Sequence, residues 1–184
     1  SIKDLGYKGL FSGKNLIVIC AESFTKELIR EDINPMIYRM AKNGIQIEDF
    51  YQPAWGGSTS TGESSILLGL IPTEGVSTIQ KFSDKDNSFT IANKLKKLGY
   101  HTYAFHNGDY AYYDRNITHV ALGYDQFIAR GNGMEVDSSN WPKSDKEMMD
   151  FSVNIFKDND PFCIYYMTIS GHCNYVRGNN MAGK

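Results

Sequence analysis

Four hydroxyl side chains, Ser58, Thr59, Ser60 and Thr61, stand in a row between Gly57 and Gly62, ahead of Glu63 and a largely apolar run from Ser64 to Leu70. Glycines let a backbone turn sharply and let a ligand come close. Hydroxyls at a helix start lie beside free backbone N–H groups at the positive helix end. An anion is favoured there, and so is an alcohol nucleophile that attacks one. A helix cap uses the same residue types, so the loop needs partners before it means chemistry. Three candidates share one kind of place. Glu22 follows the apolar stretch Leu16 to Cys20, His106 follows Tyr100 to Phe105, and His172 follows Phe162 to Met167. A carboxylate, a hydroxyl and two imidazoles suit metal-assisted phosphoryl or sulfuryl transfer. A divalent cation held in part by Glu22 would lower the pKa of a loop hydroxyl. The alkoxide would attack phosphorus and form a covalent intermediate. Arg115 and the two histidines would hold the non-bridging oxygens. Chemistry alone does not separate Thr59 from Thr61. The loop lacks Gly-x-Ser-x-Gly, and the chain has no phosphate-cradling Gly-x-x-x-x-Gly-Lys-Ser/Thr. His101 and His119 read as surface or loop residues without a role.

The elements that would carry these residues alternate. Lys14 to Cys20 is a short β-branched run, as in a parallel-sheet strand buried on both faces. A helix is predicted from Phe24 to Arg30, and a better-marked one begins at Asn34 and Pro35 and stops at Gly44. Ile45 to Tyr51 alternates and predicts a strand. The helix after the hydroxyl loop is closed by Pro72. Ser88 is expected to cap a helix with apolar positions Ile91, Leu95 and Leu98, ended by Gly99. Tyr100 to Phe105 predicts a strand, Tyr110 to Arg115 a single helical turn, and residues 123–143 mostly loop. Ser144-Asp145-Lys146-Glu147 is a capping box before a helix with Met148, Phe151 and Ile155 on one face. Phe162 to Met167 reads as another buried strand. Strand and helix in alternation predict an α/β fold, a mostly parallel central sheet flanked by helices on both faces. In such a sheet the strand C-terminal ends share one edge, so Glu22, the hydroxyl loop, His106 and His172 converge.

Composition narrows the class. The 184 residues, 41% hydrophobic and 13% aromatic, suit one globular domain. A net charge of -2 leaves no basic footprint, so no nucleic-acid partner is expected. No apolar run reaches bilayer length, which confines any membrane attachment to a segment outside this sequence. The opening Ser1-Ile2-Lys3-Asp4 shows no signal-peptide pattern and reads as the start of an excised piece of a longer protein. Cys20 and Cys163 lie in apolar runs and read as buried thiols; with Cys173 they make three cysteines and no zinc spacing.

In order along the chain, these residues resemble lipoteichoic acid synthases, phosphoglycerol transferases in the sulfatase branch of the alkaline phosphatase superfamily. That family opens with a strand ending in Glu-Ser, matched by Glu22-Ser23. It continues with Phe-Tyr and Gly-x-Thr-Ser-x-x-Glu, matched by Phe50-Tyr51 and Gly57 to Glu63. A Gly-Tyr, a strand ending in His and an Arg nine residues on correspond to Gly99-Tyr100, His106 and Arg115. Leu122 to Phe127 is similar to Phe-Gly-x-Asp-x-Phe, and Thr168 to His172 to Thr-x-x-x-His.

The resemblance implies Thr59 as nucleophile and metal ligand and Glu22 as a second ligand. It implies that His106, Arg115, His172 and Tyr113 bind substrate. The metal would be a divalent ion of the manganese type, its remaining Asp-His ligands lying beyond residue 184. Residues 1–184 would then be the N-terminal portion of a sulfatase-like catalytic domain that lacks its C-terminal part. The substrate class would be a lipid-linked or polymeric phosphodiester, and the location the extracellular face of a bacterial cell membrane. Phosphoethanolamine transfer, phosphodiester cleavage and sulfatase-like hydrolysis on the same fold are the alternative activities; an inactive binding module without a complete metal site is the non-enzymatic one. The sequence departs from the family at Ser58, where Lys is usual, at Thr61, where Asp is usual, and at Tyr113, where Trp is usual. Ser58, Ser60 and Cys20 lack the Pro and Arg that flank the modified residue of formylglycine sulfatases.

Overall fold

A computed structural model describes residues 6–51, 59–75, 77–136 and 141–172. Its centre is a four-stranded sheet of β1 (Leu16–Cys20), β2 (His101–Asp109), β3 (Gln126–Arg130) and β4 (Phe162–Met167), ordered β1-β4-β2-β3. Every pairing is parallel. The helices are α1 (Pro35–Asn43), α2 (Thr59–Leu68), α3 (Ile91–Lys96), α4 (Arg115–Ala121) and α5 (Asp145–Phe156), with short 3-10 turns at Lys26–Leu28, Ile79–Phe82 and Tyr112–Asp114. This is the α/β architecture expected, with helices on both faces.

The two faces follow from strand alternation. Ala104, Ala129, Tyr165 and Met167 point to one side, where Leu67 and Leu68 of α2 and Ala92 of α3 cover them. Tyr103, Phe105, Ile128, Ile164 and Tyr166 point to the other, against Met148 and Phe156 of α5. β4 is buried at all six positions because it lies between two strands and two helical layers. The Ser144 hydroxyl accepts from Glu147 N at 3.3 Å, half of the predicted capping box.

Several local expectations are corrected. Among the described residues β1 is an edge strand, not one buried on both faces: Ile17 and Ile19 remain 50% and 49% exposed. Ile45 to Tyr51 forms no strand. Its alternation meets no neighbouring strand among the described residues, and Ile45 and Tyr51 are more than four-fifths exposed. The stretch from Phe24 to Arg30 contracts to a single 3-10 turn. Thr90, not Ser88, holds the N-cap position of α3, without a side-chain capping bond, and the helix begins at Ile91. β3 lies inside the Gly- and Asn-rich stretch expected to be mostly loop; its signal is the short apolar core Phe127-Ile128-Ala129. His119 is fully buried on the inner side of α4 and is no surface residue.

Met148 is wholly buried under the sheet, whereas Val153, on the same helix, is 43% exposed. Met148→Ala should lower unfolding free energy by about 2–4 kcal/mol, through lost transfer energy and a cavity. Val153→Ala should stay within about 0.5 kcal/mol. Urea denaturation of both variants checks the assignment of α5's inner face.

Candidate active site at the sheet edge

β1 and β4 are neighbours, so the segments leaving their C-terminal ends run side by side. Thr168 extends the ladder by donating its N–H to Cys20 O at 3.1 Å. Its hydroxyl accepts from Glu22 N at 2.7 Å. The next residues stay close: a Cβ added at Gly171 would fall 2.5 Å from the Glu22 carbonyl oxygen. Only glycine fits that approach. Ser23, directly after Glu22, sits at φ 52, a left-handed backbone that aims the chain sharply away from the strand. Glu22 is thereby held half-buried at the edge.

Thr59 opens α2 and donates its hydroxyl to Glu22 Oε2 at 3.0 Å, across 37 positions of sequence. Nucleophile and ligand candidates are thus brought into contact. Thr61 lies two residues on in the same helix. Ser58 and the rest of the loop to Gln52 fall outside the described residues.

His106 lies inside β2, which runs past it to Asp109 through a bulge. Its Nδ1 faces Met167 O at 3.0 Å. A carbonyl can only accept, so Nδ1 carries the hydrogen and Nε2 has the free lone pair. The ring lies over Gly108, where a Cβ would meet Nε2 at 2.3 Å. Burial, aided by the charge of Arg115, lowers the imidazole to about 4, so the ring is neutral near pH 7. His172 follows the β4 loop, its ring edge-on to Trp141 at 5.3 Å. That loop is clamped by Asp145, whose two carboxylate oxygens accept from Ile169 N at 2.7 Å and Ser170 N at 2.8 Å. Burial nevertheless pushes the Asp145 carboxyl upward.

Arg115 starts α4 but does not stand open at the edge. Its side chain is 2% exposed, and Nε and Nη2 both donate to Glu63 Oε2, at 2.9 and 2.8 Å. Tyr113 lies against the guanidinium, ring centroid 5.2 Å from Cζ. Tyr113 and Asp114 are consecutive left-handed residues, φ 58 and 54, and this turn delivers Arg115 inward. Glu63 Oε1 accepts from Tyr165 at 3.1 Å, with His119 Nε2 at 3.4 Å and off-line for a hydrogen bond. Burial raises the Glu63 carboxyl, but His119 and Arg115 outweigh it and hold the group at about 2. Sequence reasoning left Glu63 and His119 without roles. The signal for Glu63 was its spacing, one turn after Thr59 on the same helix face.

Cys20 and Cys163 are free; burial pushes each thiol up to about 11, so neither is a thiolate at neutral pH. Cys173 lies outside the described residues. Glu22 and Thr59 offer two oxygen donors, a fitting start for a hard divalent cation. Among the described residues no group of three or more His, Cys, Asp or Glu side chains forms a cage for one.

The sulfatase family profile matches residues 14–179. The chain belongs to the sulfatase family. Within it the chain is lipoteichoic acid synthase-like, as the sequence resemblance implied. It is 24% identical over 177 residues to lipoteichoic acid synthase 2 of Bacillus subtilis (strain 168), covering 90% of this chain and 27% of that protein. Lipoteichoic acid synthase 1 of the same organism is 25% identical over 189 residues, with 90% and 28% covered. The sulfatase-family chain thus spans about a quarter of those relatives' length. The solved lipoteichoic acid synthase LtaP from Listeria monocytogenes superposes with a TM-score of 0.80 at 24% identity, over 97% of this chain and 45% of that one. The phosphoglycerol transferase GacH of Streptococcus pyogenes, in complex with sn-glycerol-1-phosphate, gives 0.63 at 17% identity, over 91% and 47%. These superpositions bear out the α/β fold, and this chain covers under half of the length of each of those solved chains.

Two buried groups predict acid sensitivity. His106 has a lowered folded pKa, so its contribution is complete above 6.5 and is lost as pH falls towards about 4. Glu63, also lowered, contributes fully above 4.5 and loses that contribution as pH falls towards about 2. The His106 gap, from 6.5 to about 4, corresponds to roughly 3 kcal/mol. Hydrogen-exchange protection of the β2 amides, corrected for intrinsic rates, should therefore begin to fall below pH 6.5. In a His106→Gln variant the decline should begin only below about 4.5, where Glu63 of the unfolded chain starts to take up its proton.

Proposed function

We propose that this sulfatase-family chain is part of a metal-dependent phosphoryl-group transferase of the cell envelope, with Thr59 as its nucleophile. The observation that carries the reading is the 3.0 Å hydrogen bond between Thr59 Oγ1 and Glu22 Oε2 at the C-terminal edge of a parallel sheet. The likeness to lipoteichoic acid synthases supports phosphorus over sulfur as the reacting centre. Glu22 and Thr59 would hold a divalent cation, manganese being the proposed ion, together with Asp and His ligands outside this sequence. When bound, that cation supplies charge that lowers the hydroxyl pKa and screens the phosphoryl oxygens.

The chain's own residues account for the rest. Glu22 Oε2 already accepts the Thr59 hydroxyl hydrogen and turns the Oγ1 lone pairs outward. As Oγ1 bonds to phosphorus, its proton leaves and the bond from phosphorus to the departing alcohol breaks; that alcohol takes up a proton. A second alcohol, or water, reverses the step and frees Thr59. His106 stays neutral, so Nε2 accepts a hydrogen bond from a substrate hydroxyl and adds no charge. Arg115, with Tyr113 against it, and His172 would bind the phosphate or its glycerol. The substrate is a lipid-linked or polymeric phosphodiester, met at the extracellular face of a bacterial membrane. No described helix is long and apolar enough to cross a membrane. Attachment would therefore come through another segment.

In the full-length protein, Thr59→Ala should abolish phosphodiester turnover, by at least ~10³-fold, because the covalent step is lost. Thr59→Ser should retain part of it. Glu22→Gln should weaken manganese affinity measured by calorimetry. Unchanged turnover by Thr59→Ala would sink the covalent mechanism.

A further inference from the structure

Glu63 is wholly buried and both of its oxygens are engaged. Oε2 takes two hydrogen bonds from Arg115 of α4, and Oε1 takes one from Tyr165 of β4. One side chain therefore ties α2, α4 and the sheet together. Glu63 also follows Thr59 by four residues in α2, which places the two on one helix face about 6 Å apart along the axis.

That arrangement has two consequences for Arg115. Nε and one hydrogen of Nη2 are directed to Glu63; among the described residues this leaves Nη1 and the second Nη2 hydrogen for an anion, on a side chain only 2% exposed, so a phosphate meets it only where the site opens towards it. The carboxylate also cancels the formal charge of the guanidinium. A phosphate reaching Arg115 would meet directed N–H groups with little net charge behind them. Binding in the ground state stays modest, while orientation is kept.

We propose that Glu63 is the positioning residue of the site: it fixes which Arg115 N–H groups face the phosphate, tempers their charge, and locks arginine and Thr59 into one frame. This rests on the functional reading above, in which Arg115 meets the substrate. A mere structural counter-ion would do none of this selectively.

The test is a double-variant cycle in the full-length protein, using Glu63→Gln, Arg115→Gln and both together. Turnover is read with bis(p-nitrophenyl) phosphate, and anion affinity with inorganic phosphate by calorimetry. Glu63→Gln should lower kcat by ~10²-fold, the scale of a 1 Å misplacement. KM should stay level or fall, and phosphate should bind several-fold more tightly, because a charge has been unmasked. In the Arg115→Gln background the same change should alter neither number, since its effect runs through Arg115. Glu63→Gln leaves a buried arginine unpaired and can prevent folding, so Glu63→Asp is the second variant. It keeps the charge but shortens the reach; kcat should drop ~10-fold or more with phosphate affinity within ~2-fold of wild type.

Multiplicative effects in the cycle, a KM that rises as kcat falls, or a Glu63→Asp variant with wild-type kcat would each overturn the proposal. A wild type that binds phosphate but turns over no phosphodiester removes the functional reading, and the affinity cycle then decides Glu63 alone. A wild type that binds no phosphate overturns both.

Discussion

A buried carboxylate must be paired or it will not stay charged. Glu63 meets that demand by drawing one partner from each of two other elements, Arg115 at the start of α4 and Tyr165 in β4. The constraint then propagates. α2 cannot slide without breaking the ion pair, so its first residue, Thr59, is fixed relative to β4. α4 cannot rotate without exposing Arg115, so the left-handed pair Tyr113 and Asp114 is held in place despite its strain. The face of the sheet under α2 is accordingly polar at its centre and apolar around it, with Leu67, Leu122 and Phe127 excluding water from the pair.

Topology supplies the second frame. With the order β1-β4-β2-β3 and all strands parallel, β4 ends between β1 and β2. Its Met167 carbonyl can then meet His106 on one side, while Thr168 meets Glu22 on the other. A strand order that separated β1 from β4 would leave Glu22 without its backbone anchor. The Asp145 clamp fixes the same loop from the opposite face of the sheet, so its path is set from both layers.

What the sequence revealed and what it concealed divide along physical lines. Buried strands with apolar cores, such as Phe162 to Met167, are legible because burial on both faces demands them. The position of Glu22 just past the end of β1 follows from that, whereas β2 runs on beyond His106 to Asp109, against the strand end expected there. The alternation of Ile45 to Tyr51 misled because a strand exists only with a neighbour, and periodicity says nothing about neighbours. β3 escaped because its flanks are polar and its buried core is three residues. His119 was misread for want of a helix: α4 begins where a single turn was expected, and only a helix turns His119 inward beside Arg115. Thr59 was separable from Thr61 by family register alone; the structure puts Thr59 against Glu22.

Two glutamates thus lie in one neighbourhood with different prospects, and satisfaction sorts them. Glu63 has both oxygens engaged and no exposure, so it presents no open position to a cation arriving from solvent. Glu22 is half-buried, anchored through its backbone N–H, and its side chain meets one hydroxyl among the described residues. A carboxylate already saturated by the fold can only hold other groups in place. One with coordination capacity left over can take part in chemistry. In the proposed function the same residue type therefore serves as frame in α2 and as metal ligand after β1, with burial and partner count deciding between them.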